Sequence, residues 1–108
     1  MYIIINMSSR NPNKPVYFPK LTKRLSLMGE QIKLARLRRR YSAKLIAERA
    51  GISRSTLWKV EKGNPGVAIG IYAKVLAAIG LGDDITLIAR DDELGRAIQD
   101  AELLKGRR

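Results

Sequence analysis

Apolar residues return at helical rather than strand spacing through most of this chain. Leu25, Met28, Ile32 and Ala35 recur every third or fourth position, with Gly29 and Arg36 on the same side, and predict a first helix from about Leu25 to Arg39. Leu27, Leu34 and Leu37 fall on the opposite side, so this helix must either bury two faces or present one of them to a partner. A second helix is predicted from about Ala43 to Ala50. Ser42 is placed to cap its first amides, Ile46, Ala47 and Ala50 form one small apolar face, and Gly51 follows where the chain must turn. A third begins after Ser53, with Leu57 and Val60 inward and Glu61 beside them, and is stopped by Gly63-Asn64-Pro65-Gly66.

A fourth helix is expected from about Ala68 to Ile79, with Ala68, Ile71, Tyr72, Val75 and Ile79 on its inner face and Leu76 at the edge. Beyond Gly82 the pattern is ambiguous. Ile85–Arg90 reads either as a short helix started by Asp83 and Asp84 or as a strand, and Asp91-Asp92 marks a further helix start near Glu93–Leu103. Residues 1–20 contain Pro12, Pro15 and Pro19 and show no helical period. YIII at residues 2–5 is either an edge strand or loose chain, and Met7 and Met28 leave an internal start codon open. The expected fold is therefore all-α: residues 1–20 a flexible basic arm, 21–82 a helix-turn-helix domain, and 83–108 a helical C-terminal extension.

Helices two and three are separated only by Gly51-Ile52-Ser53, a connection short enough to set them at a steep angle as a helix-turn-helix. With Leu57, Val60 and Glu61 inward, steps of about 100° place Ser55, Lys59 and Lys62 on the far side of the third helix, flanked by Arg54 and Trp58, with Thr56 on the other edge. That face is polar and cationic without an acid, whereas a merely solvated helix usually mixes signs. Such a face suits the DNA major groove, where Arg or Lys donates to guanine O6 and N7 and Ser pairs with several bases. Arg54, Ser55 and Lys59 are the candidates for base edges. Ser53, Thr56, Lys62, the N-terminus of the second helix at Ser42, Ala43 and Lys44, and the run Arg38-Arg39-Arg40 are the candidates for phosphates. Trp58 lies along the groove wall, stacks on a sugar, or covers the turn; packing over the turn is the favoured expectation.

Charge sharpens this reading. Residues 1–63 hold fifteen Lys/Arg against three Asp/Glu, while residues 64–108 hold six against seven, within a net charge of +11. So basic a front half attracts polyanions. The chain has no Cys and no His, which removes disulfides, thiolate chemistry and the commonest base and metal ligand. No apolar run approaches the length of a membrane span, so a cytoplasmic protein is expected.

The pattern S-x-x-x-I-A-x-x-x-G-I-S-x-x-x-L-x-x-V-E-x-G across Ser42–Gly63 resembles the Cro and phage-repressor, or XRE-type, regulators, and the likeness extends over roughly residues 27–81. It implies a bacterial, nucleoid-associated protein with a compact bundle of about five helices, binding to double-stranded operator DNA as a homodimer, and an internal pair between Arg36 and Glu61. Two positions depart from the family pattern. Ala43 stands where a Gln often braces the recognition helix and a phosphate, and Arg40 stands where the first helix often ends in Gly. Helix four and the tail, GNPGVAIGIYAKVLAAIGLGDDI then ARDDELGRAIQDAELLKGRR, look like HipB-type antitoxins. That likeness implies autorepression of an operon and restraint of a HipA- or HipT-like serine/threonine kinase, with or without an additional small subunit. The surfaces available to such a partner are Leu27, Leu34 and Leu37 and the tail with Leu94, Ile98, Leu103 and Leu104.

Three other readings compete. The protein is a stand-alone XRE regulator; or it is a basic membrane-surface or scaffold protein, for which only the first helix, with its leucines against an arginine cluster, has the needed shape; or it is an enzyme. The carboxylate clusters Asp83/Asp84 and Asp91/Asp92/Glu93 sit where helices begin, so capping explains them, and no nucleophile motif or phosphate loop is present. No catalytic residue, metal or cofactor is expected.

Overall fold

A computed structural model describes residues 18–106, and within them every regular element is helical. Helix α1 spans Pro19–Arg38, α2 Ala43–Ala50, α3 Arg54–Glu61 and α4 Ile69–Ile79; a 3-10 segment covers Gly82–Leu87 and α5 covers Glu93–Leu104. The first four helices and the 3-10 segment form the expected all-α helix-turn-helix bundle. The edge-strand reading of YIII and most of the N-terminal arm lie outside the described residues.

Three local expectations are corrected. Helix α1 begins at Pro19, well before Leu25, because proline at the first helical position lacks only an amide that would have no partner there. Ile85 belongs to the 3-10 segment rather than to a strand, and the chain then turns through Ile88–Arg90. Ala68 is the exposed N-cap of α4 and not part of its inner face.

Ile32, Ala35, Ile46, Ala47, Ala50, Leu57, Val60, Tyr72, Val75 and Ile79 form one core, with every helix of the bundle contributing. Helix α4 packs against α2 and the 3-10 segment, and α1 packs chiefly against α3. The α1–α3 crossing depends on two glycines. A Cβ on Gly29 would lie 2.7 Å from the Val60 carbonyl oxygen and 2.8 Å from that of Glu61, and one on Gly63 would meet the Leu25 carbonyl. Backbone meets backbone here, so α3 is held at a fixed height along α1. Among the described residues no helix is long and apolar enough to cross a membrane.

Candidate nucleic-acid interface

Local bonding explains why the two short helices meet at a fixed corner. Ser42 Oγ accepts from the Leu45 amide at 3.0 Å and starts α2. At the other end Gly51 has φ 69°, a left-handed conformation that glycine adopts without a Cβ penalty. The Ile52 amide then donates to the Ala47 carbonyl at 3.0 Å and the Gly51 amide to that of Glu48 at 3.1 Å. These two bonds satisfy carbonyls that a helix end leaves open. Ser53 restarts the chain at once, its hydroxyl accepting from the Thr56 amide at 3.1 Å and donating to Thr56 Oγ1 at 2.9 Å. Leu57 and Val60, 1% and 0% exposed, press α3 into the core through one side only.

The other side of α3 is open. Arg54, Ser55, Trp58, Lys59 and Lys62 are all exposed, and Thr56 is half-buried. Arg54 and Lys59 make no hydrogen bond or ion pair within the described residues, so both charges are available to an outside anion or base edge. Ser55 Oγ lies 3.1 Å from Ser53 Oγ, which orients its hydroxyl without burying it. Trp58 does not cover the turn. It is 61% exposed on the cationic side, with Lys62 Nζ 5.4 Å from its ring centroid. The packing expectation therefore gives way: Leu57 and Val60 already fill the contact with α1 and α2, which leaves the indole outside.

The other candidate cationic groups are exposed as well. Lys44 is exposed in the first turn of α2, beside Ala43, whose contribution is a backbone amide with no carbonyl one turn earlier to bond. Arg38, Arg39 and Arg40 are exposed at the end of α1. Arg39 Nη1 donates to the Ala35 carbonyl at 2.9 Å, while Arg40 has φ 59°, the left-handed conformation that glycine takes more cheaply.

One ion pair fixes the frame. Arg36 Nε donates to Glu61 Oε2 at 2.6 Å and Nη2 to Oε1 at 3.0 Å, a two-pronged pair with both side chains 8% exposed. Arg36 Nη1 also donates to the Tyr41 carbonyl at 2.9 Å. A buried charge pair of this kind persists when its remaining hydrogen-bonding capacity is met, as it is here. Sequence reasoning missed the part played by Tyr41, whose ring also lies under the Arg49 guanidinium, 4.9 Å from the centroid. The available signal was its place immediately before the Ser42 cap, where an apolar residue fixes the entry of the chain.

Comparison with known protein families matches residues 27–86, more than half the chain, to a family described as a helix-turn-helix domain. The comparison with curated proteins found no match.

Proposed function

The chain belongs to the helix-turn-helix domain family, and from that membership we propose that it is a sequence-specific transcriptional repressor that reads operator DNA with α3. The observation that carries this reading is the two-sided character of that helix. Leu57 and Val60 are sealed in the core, while Arg54 and Lys59 stand exposed with no partner among the described residues. Arg54, Ser55 and Lys59 take base edges. Ser42, Ala43, Lys44, Ser53, Thr56, Lys62 and Arg38–Arg40 take phosphates, and no catalytic step is assigned to any of them. A homodimer binds two half-sites about one helical turn apart, or a multiple of it.

Gel-shift titration on operator and scrambled duplexes tests this. Arg54→Ala and Lys59→Ala each lose about 1–3 kcal/mol of discrimination. Replacing Arg38–Arg40 with alanine weakens all duplexes alike and lowers the salt slope by about 0.9 for each phosphate no longer neutralised. Unchanged base preference in both α3 variants means that another face reads the DNA.

The reading extends to a HipB-type antitoxin that restrains a HipA- or HipT-like kinase. Its support is the stripe Leu27, Leu34 and Leu37, exposed at 56%, 42% and 48% on the side of α1 away from the core. Co-expression with the product of the adjacent gene tests it: a stable complex that loses kinase activity, and regains it when Leu34 and Leu37 become Glu, is the expected result. Absence of any complex leaves a stand-alone regulator.

A further inference from the structure

Trp58 is the one large apolar side chain on the exposed face of α3, and the roles assigned so far leave it without a task. Its indole N–H has no hydrogen-bond partner among the described residues. Helical period sets its place. Arg54, Trp58 and Lys62 stand four residues apart, so they form a line along the helix with the indole between two cations. Lys62 Nζ sits over the ring, where the negative face of the π-system attracts an ammonium. That contact restrains the indole and leaves most of its surface open. Glu61, the only acid of α3, is turned inward to Arg36.

We propose that Trp58 packs against the 5-methyl group of a thymine in the major groove and is a specificity-determining residue for the operator. This rests on the reading of α3 as the DNA-contacting helix and names a base for it. Three physical points select that group. Bases in an intact duplex are stacked, so a ring meets their faces only at the cost of unstacking a step. Of the groups that base edges present in the major groove, the thymine methyl alone is apolar. The indole N–H is a donor only, so it has nothing to offer the amino groups of adenine and cytosine. The flanking charges decide between DNA and a protein partner. An apolar protein surface over Trp58 would also strip water from Arg54, Lys59 and Lys62 with no acid of α3 beside them, whereas a duplex supplies phosphates. Spacing narrows the position. One helical turn is about 5.4 Å and one base step about 3.4 Å, so the thymine lies within two steps of the base met by Arg54.

Trp58 is the only tryptophan of the chain, so its fluorescence reports its surroundings without any substitution. Duplexes are selected from a random library by the full-length wild-type, Trp58→Ala and Trp58→Phe proteins. The wild type should fix a thymine within two steps of a guanine. Trp58→Ala should lose that thymine and keep the guanine, and Trp58→Phe should keep both. On the best wild-type site, deoxyuridine in place of that thymine removes only the methyl. It should weaken wild-type binding about four-fold, the worth of one buried methylene-sized group, and leave Trp58→Ala indifferent. Indole emission should change when this site binds. Equal melting temperatures of the three proteins, as expected for an exposed side chain, set misfolding aside. A deoxyuridine effect of the same size in wild type and Trp58→Ala gives the methyl to another side chain and overturns the proposal. So does a Trp58→Ala protein that weakens on every duplex alike, which places the indole on the sugar-phosphate backbone. Unchanged emission on a duplex that Lys59→Ala no longer discriminates also overturns it, leaving α3 as the reader and Trp58 to a protein partner. A wild-type protein without base preference removes the reading of α3 as well.

Discussion

Helices α3 and α5 start in the same way and end in opposite situations. Each has a side-chain cap that accepts from the amide three residues on, Ser53 from Thr56 and Asp92 from Gly95, both at 3.1 Å. Each carries apolar residues on one side. Yet Leu57 and Val60 of α3 are sealed, whereas Leu94 and Ile98 of α5 are 73% and 57% exposed. Capping and periodicity decide that a helix forms; only neighbours decide whether its apolar side is covered. A twelve-residue helix without tertiary packing is marginal in water, so α5 has more order to gain than α3 from a surface that covers its apolar side.

Four substitutions test this contrast, in descending size. Arg36→Ala strands Glu61 in the buried α1–α3 contact and should destabilise the bundle by about 3–5 kcal/mol in thermal unfolding. Leu57→Ala should follow at about 2–5 kcal/mol, the transfer loss plus a cavity that backbone held at Gly29 and Gly63 cannot close. Arg40→Gly runs in the other direction. Relief of the left-handed backbone should stabilise by about 1 kcal/mol, while removal of the charge weakens binding to every duplex. Leu94→Ala in the monomer should cost less than about 0.5 kcal/mol, the ordinary range of a surface change. If it costs as much as Leu57→Ala, α5 is packed on its own bundle and the contrast between the helices disappears.

The same contrast shows what was legible beforehand. Ser42, Gly51 and Ser53 are local signals whose chemistry acts within a few residues, so the corner between α2 and α3 could be placed from sequence, as could the inward set Leu57, Val60 and Glu61. The early start of α1 was missed because Pro19 reads as a breaker until it is recognised as a first helical residue. The exposure of Trp58 was missed because a large aromatic next to a turn suggests packing, and whether room exists depends on how closely α1 approaches. That approach is set by Gly29 against Gly63, two residues far apart in sequence whose meeting no local pattern announces. The family match also stops at Thr86, before α5, so the partner surface that resemblance suggested for the tail gains no support from it.

The three donations of Arg36, to both oxygens of Glu61 and to the Tyr41 carbonyl, tie α1, the loop leading into α2 and the end of α3 to one side chain. The arginines assigned above to the duplex backbone and the residues assigned to its bases are thereby indexed to each other within the free protein. Under the proposed function little ordering is left to perform on contact, so recognition is expected to be close to a rigid-body fit, in which a mismatch at one point is not absorbed by slack at the other.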